Sequence, residues 1–249
     1  MRQKLMTLFL CGIMVISAKA QGGMFENWSV GVNAGLYGLG IQGATSLSPN
    51  FKARVGFDYM KFSYNDGISF DAPIVNVPDR DLYLDGELSG VELKFPNFKA
   101  MVDYYPVKNG IFCITAGFYI GNNKITANGQ VDDYQNLKAE IGKAPEFDIE
   151  GTIIKPNSEG HFDASIKLGQ TFKPYVGLGL GRTIPKSRVG FKFELGVVYQ
   201  GKISVESDHV SDSDLAKVND MTSEFDLPVS KNVLKLWPML NFTLSYRIK

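Results

Sequence analysis

The residues able to do chemistry are few and scattered. The chain has two histidines, His161 and His209. His209 stands two positions before Ser211, giving the residue types of a base and a nucleophile. Acyl transfer by such a pair needs the imidazole at the hydroxyl, an orienting carboxylate and a rigid support. Both residues fall instead in a long acidic stretch between strand patterns, where a chance loop pairing competes with catalysis. Glu206, Asp208, Asp212 and Asp214 gather carboxylates that suit a hard cation, but without the ligand spacing and turn glycine of a calcium loop. Gly177-Leu178-Gly179-Leu180-Gly181 has the glycine spacing of a phosphate-binding turn; no helix follows, and its alternation marks a strand. Cys113 is alone once the first 20 residues are set aside, so it can form neither an intrachain disulfide nor a cysteine metal cluster. These residues establish no catalytic, cofactor-binding or metal-ligating set, and no enzyme is expected.

The elements that would position such groups begin with an export signal. Arg2 and Lys4 precede an apolar run from Met6 to Ser17, and Ala18-Lys19-Ala20 supplies small residues for cleavage after Ala20. A run of this length is too short for a membrane-spanning helix. Acylation at Cys11 is the competing reading, set back by the bulky Leu10 before it. Without Arg2, Lys4 and Lys19 the basic side chains fall from 26 to 23 against 26 acidic ones, a net −3. That balance argues against nucleic acid as a partner. Past the signal no apolar run reaches about 18 residues, so no helix is expected to span a bilayer. Residues 21–249 are read as one domain.

The remaining chain alternates. Phe112, Ile114, Ala116, Phe118 and Ile120 share a face opposite Cys113, Thr115 and Gly117. Phe191, Phe193, Leu195 and Val197 oppose Lys192, Glu194 and Gly196, interrupted by Val198. Leu240, Phe242 and Leu244 oppose Asn241, Thr243 and Ser245, with Trp237 and Met239 on the polar side. Runs of about 10 residues match tilted membrane strands, whereas soluble strands usually have about 5–6. In lipid every backbone N–H and C=O must be paired, which demands closure into a barrel. The fold class expected is all-β, an antiparallel transmembrane β-barrel of about 8 strands, with 10 as the alternative. Phe112, Ile114, Phe118, Phe191, Phe193, Leu240, Phe242 and Leu244 are predicted to face lipid. A soluble sandwich or lipocalin-like barrel would also alternate, with the faces reversed.

Short connections at 48–50, 107–110 and 185–188 alternate with long polar stretches at 65–82, 122–147 and 203–232, the arrangement of periplasmic turns and external loops. The alternation changes phase near Leu36–Tyr37, predicting a bulge or two strands, and near Pro96–Asn97, predicting a bulge. A hairpin around residues 155–158 and a short helix over 211–224 are further expectations. Lys52, Arg54, Asp58, Glu92, Lys94, Lys99, Asp103, Lys192, Glu194, Lys235 and Arg247 are predicted to face the lumen. Eight strands leave an interior just wide enough for side chains, so these charges form a packed filling or line a narrow channel. Tyr59, Tyr104, Tyr119, Tyr175, Tyr199, Trp237 and Tyr246 are candidates for aromatic girdles.

The ordered phrases LYGLGIQGATSLSPNFKARVGFDYMKFSY, VDYYPVKNGIFCITAGFYIGNN, KPYVGLGLGR, GFKFELGVVYQG and WPMLNFTLSYRI resemble a family of small, largely uncharacterised outer-membrane β-barrel proteins of Gram-negative bacteria. The resemblance implies fold and location and brings no catalytic residues. It departs at Lys249, where barrels of this type commonly end on an aromatic. His209-Val210-Ser211 also resembles the His-x-Ser arrangement of an outer-membrane lipid A deacylase, the outside alternative. The expected role is structural or surface-interacting; passive diffusion of small solutes is the alternative. Expected partners are the outer-membrane lipid bilayer and, during biogenesis, the barrel-assembly machinery, around a monomer.

Overall fold

The computed structural model describes residues 24–77, 82–108, 110–149, 152–201, 204–207, 209–210, 215 and 235–248. The signal segment, Ser211, Asp208, Asp212, Asp214 and nearly all of the 211–224 helix expectation lie outside these residues. The elements run β1 (Trp28–Gly35), β2 (Gly38–Ser46), β3 (Phe51–Tyr64), β4 (Ile68–Pro73), β5 (Tyr83–Tyr104), β6 (Phe112–Ile120) and β7 (Lys124–Val131). They continue with α1 (Tyr134–Ile141), β8 (Phe147–Ile149), β9 (Thr152–Ile154), β10 (His161–Lys167), β11 (Phe172–Gly181), β12 (Val189–Tyr199), β13 (Ser204–Glu206) and β14 (Leu236–Arg247).

Among the described residues, eight strands close a ring in the order β1, β2, β3, β5, β6, β11, β12, β14. Every neighbouring pair is antiparallel, and β14 returns to β1 with Ser29 opposite Arg247. The wall is inside-out relative to a soluble barrel. Val32, Leu39, Ile41, Val55, Phe57, Phe191 and Phe242 are exposed on its outer face, while Asn33, Gln42, Arg54, Asp58, Lys192 and Asn241 are buried within. An apolar exterior around a polar interior on a closed antiparallel sheet is a transmembrane β-barrel. Short turns join β2 to β3, β5 to β6 and β11 to β12 at one end; the long connections lie at the other.

The phase change near Leu36 marks two strands. Gly35 pairs with Gly38, leaving Leu36 and Tyr37 as a tight turn. Gly38 takes φ 94°, and a Cβ there would lie 2.7 Å from Met60 Cβ, so the turn requires glycine. This strand completes the ring at eight. The hairpin in the 148–169 region is β8–β9, displaced from residues 155–158, and it stands apart from the ring.

The bulge expected at Pro96–Asn97 does not exist. Phe51↔Tyr104 through Tyr64↔Val91 run in one unbroken register, and the irregularity of β5 falls between Leu88 and Gly90. The inward series continues through Asp103, Lys99 and Phe95; what changes at Pro96 is the interior it meets, from polar to apolar.

Half of the wall keeps rising past the ring. β7 pairs with the first half of β5, directly beyond β6, and β10 and β13 follow it; β4 lines the other side of β5. The other half stops at the Leu36–Tyr37 turn. The tall half has its own core of Ala72, Ile74, Leu84, Val131, Tyr134, Phe147 and Phe162, and Leu137, Ile141 and Ile154 of α1 and β9 pack on it. Phe147 and Phe162 meet at 5.4 Å and 71°. Ala72, Ile74, Val131, Tyr134 and Phe147 of this core fall within stretches that read from sequence as polar loops.

Candidate functional site

The interior of the ring holds two layers. Nearer the short turns is a charged layer. Arg54, from β3, directs Nε to Asp103 at 3.2 Å and a terminal nitrogen to Glu194. Lys192 Nζ lies 2.9 Å from Asp103 and 2.8 Å from Glu194. Thr115 donates to Asp103 at 2.6 Å, Thr183 donates to the other Asp103 oxygen, and Tyr175 donates to Glu194 at 2.7 Å. On the same two strands Lys99 of β5 donates to Asp58 of β3 at 2.8 Å, and it also donates to Asn33 of β1 at 2.9 Å. These six charges are at most 4 % exposed. Ions this deep are tolerable only when paired with opposite charge, as here.

Inward glycines make room for the long side chains. A Cβ at Gly56 would come within 2.9 Å of Lys99 Cε, and one at Gly179 within 2.7 Å of Lys192 Cε and Cys113 Sγ. Those at Gly177 and Gly196 would collide with the Tyr175 hydroxyl. The glycine repeat at 177–181 is therefore space left for a packed lumen.

Toward the long loops the second layer is apolar. Tyr37, Phe95, Met101, Tyr119, Tyr175, Val198 and Met239 are buried together, with Met60, Leu93 and Trp237 against them. Tyr119 meets Tyr37 at 5.1 Å and 81° and Tyr175 at 5.7 Å and 84°, edge to face. Val198, Trp237 and Met239 look like breaks in the alternation when each strand is read alone. Val198 of β12 stands opposite Trp237 of β14, with Met239 two residues along, and only the register brings the two strands' exceptions together. Tyr119, Tyr175 and Trp237 thus face the plug instead of a girdle, while Tyr59, Tyr104, Tyr199 and Tyr246 are exposed on the outer wall.

The other expected lumen charges lie elsewhere. Lys52 is half-buried at the short-turn mouth and donates to Ser48 O at 2.8 Å; Arg247 donates there to Asn27 Oδ1 at 2.5 Å. Both line a recess of about 150 Å³ with Arg182 and Lys186, floored by Tyr105 and Thr183. Tyr105 donates to Thr183 at 3.1 Å, which joins that floor to Asp103. Lys235 is half-buried at the long-loop end of β14. Glu92 and Lys94 do not face the lumen. They stand outside on the tall wall, where Glu92 pairs with Lys61 at 2.8 Å and Lys94 at 3.0 Å. Their assignment followed from the supposed phase reversal at Pro96, which the unbroken register removes. The buried cation that the reading missed is Lys173, which donates to Asn97 at 3.2 Å and to Gly121 O at 2.5 Å. Among the residues expected to face lipid, Phe112, Ile114, Phe191, Phe242 and Leu244 are exposed, and Phe118, Phe193 and Leu240 are half-buried on the same outer face.

His209 lies in the tall half. Its Nε2 is 3.1 Å from Asp163 and its Nδ1 3.1 Å from Lys155 O, so both ring nitrogens already face oxygens. Among the described residues neither is directed to a serine hydroxyl: the nearby Ser207 Oγ accepts from the His209 backbone N–H and donates to Asp163 O.

No family model and no curated protein matches this chain. The chain is similar in fold to the crystal structure of Acinetobacter baumannii CarO2, with TM-score 0.50 and 16 % identity over 91 % of this chain and 100 % of that one. The crystal structure of Acinetobacter baumannii CarO aligns with TM-score 0.47 and 15 % identity, covering 88 % and 96 % of the two chains.

Proposed function

We propose that the protein is an integral outer-membrane barrel, exported with cleavage after Ala20, whose role is structural or surface-interacting and whose working surface is the tall external sheet. The observation that carries this reading is the filled lumen. A salt-bridged layer and an aromatic layer succeed one another across the barrel, and the side chains of both are buried. The short turns then face the periplasm and the β4–β5–β7–β10–β13 sheet stands outside the cell. The likeness in fold to the A. baumannii CarO2 crystal structure is in keeping with a membrane barrel. The barrel is a monomer, folded into the bilayer by the assembly machinery.

Two measurements test the proposal. Boiled and unboiled protein should migrate differently on a denaturing gel, and extraction from membranes should require detergent; recovery in the soluble periplasmic fraction would refute the location. The pure refolded protein should give no discrete openings in planar bilayers. Reproducible unitary steps would instead establish passage of small solutes.

A further inference from the structure

The recess at the short-turn mouth is built from all three short connections, with Asn27 just before β1 and Arg247 at the end of β14. The backbone braces these segments against one another. Tyr105 N–H donates to Asn50 O at 2.8 Å, Gly181 N–H to Ile111 O at 2.7 Å and Arg247 N–H to Arg188 O at 2.7 Å. Such bracing holds the lining side chains in place before any ligand arrives. The volume of about 150 Å³ is well below the roughly 300–1,000 Å³ of pockets that bury a whole drug-sized molecule. The recess therefore admits one charged group.

Its lining is one-signed. Among the described residues Lys52, Arg182, Lys186 and Arg247 line it and no acidic side chain does; Glu26, beside Asn27, is exposed and stands outside the lining. Lys52 donates to Ser48 O at 2.8 Å, and Arg247 donates to Lys186 O at 3.4 Å and to Asn27 Oδ1, all neutral oxygens. Lys186 is exposed at the rim. Asp103 stands opposite Lys52 in the β3–β5 register, but its oxygens already take Arg54, Lys192, Thr115 and Thr183. The buried ionic layer is neutral by itself, with Arg54, Lys99 and Lys192 matched by Asp58, Asp103 and Glu194. It has no surplus anion to lend to the mouth. The charges of Lys52, Lys186 and Arg247 are met by neutral dipoles and solvent alone.

We infer that this recess is a binding site for a dianionic phosphate group, held by Lys52, Lys186 and Arg247 and entered from the periplasm. Two ammonium groups act as point charges and the guanidinium as a planar fork, a set suited to tetrahedral phosphate oxygens. Two negative charges answer three positive ones better than a single carboxylate does. The group is free phosphate or the phosphate end of a small soluble ester. Only the side of entry rests on the outer-membrane reading proposed above; the site itself does not.

The test uses the full barrel refolded in a non-ionic detergent and phosphate-free buffer. The heat-dependent gel shift is recorded first for every variant. Inorganic phosphate, methyl phosphate and acetate are then titrated by calorimetry. Wild type should bind one phosphate saturably and acetate far more weakly. Tighter binding of methyl phosphate would assign the ester as the source, and tighter binding of inorganic phosphate the free ion. Lys52→Gln and Arg247→Gln should each weaken binding about tenfold, as for the loss of one hydrogen bond to a charged group. Arg247→Lys should retain most of it. Lys186→Gln, an exposed turn substitution, should weaken binding without touching the fold, and Lys61→Gln on the tall wall should change nothing. Absence of saturable binding, equal affinity for acetate, or a loss in Lys61→Gln as large as in Lys186→Gln would overturn the site. A detergent-extracted barrel that shifts on the gel and takes no phosphate loses the site alone. A protein that binds phosphate but is recovered in the soluble periplasmic fraction keeps the site and loses the outer-membrane reading.

Discussion

Arg54→Met is the sharpest perturbation of the lumen. Arg54 is 4 % exposed and sits between Asp103 and Glu194, themselves 0 % and 2 % exposed. Methionine fills much of the volume and removes the charge. Both carboxylates are then left to Lys192, at 2.9 and 2.8 Å. Removing one member of a buried ionic set typically costs about 3–5 kcal/mol, because the remaining charge cannot return to water. Adding Glu194→Gln removes the excess anion and should recover part of that loss, a coupling of about 0.5–3 kcal/mol. The assay is urea titration of the protein in phospholipid vesicles, followed by tryptophan fluorescence and the heat-dependent gel shift. A cost below about 1 kcal/mol for Arg54→Met, or a Glu194→Gln substitution that deepens the loss, would refute the account of a tightly paired interior.

Three further outcomes follow from the same geometry. Gly179→Val should destabilise the barrel by about 1–3 kcal/mol in the same titration through collision with Lys192 and Cys113, whereas Gly43→Ala, whose Cβ meets nothing within 4 Å, should be neutral or mildly stabilising. Tyr119→Ala/Tyr175→Ala should introduce openings in planar bilayers, while a silent double variant would locate the obstruction in the charged layer. Asp85 lies opposite Asp71 in the β4–β5 pair, and the Asp71 carboxyl, hydrogen-bonded to it, pushes its pKa up. A carboxyl raised on folding opposes folding at neutral pH, and that opposition fades as pH falls through the raised value. Asp85→Asn should therefore increase amide-exchange protection over 83–88 at pH 7, with the advantage over wild type shrinking toward the ordinary carboxylate range.

Much of the barrel was legible because lipid imposes a strict rule on it. Phe191, Phe193, Leu195 and Val197 against Lys192, Glu194 and Gly196 could be read from one strand alone. The plug could not: Phe95, Val198 and Met239 are exceptions on three separate strands, and their meaning lies in register, which no single strand carries. The same absence misled the placement of Glu92 and Lys94. A bulge at Pro96 and a change of interior from polar to apolar give the same one-dimensional pattern, and only the continuous β3–β5 pairing separates them. The external core was hidden for another reason. β8 and β9 have three residues each and α1 eight, too short for their periodicity to stand out from loop.

The seam between β1 and β14 sets an order of events. Its register sets residue 29 opposite residue 247, and Ile248 N–H donates to Trp28 O, so the ring can close only after residues more than 200 positions apart have both been made. Until then both strands are open edges with unpaired backbone, templates for pairing with any other chain. Contacts this distant in sequence form slowly. The unclosed barrel must accordingly be kept from its own kind until then, and a variant that weakens this seam, such as a proline at Val32, which pairs with Leu244 and has its side chain on the outer face, should show itself as lost yield more than as a changed final structure.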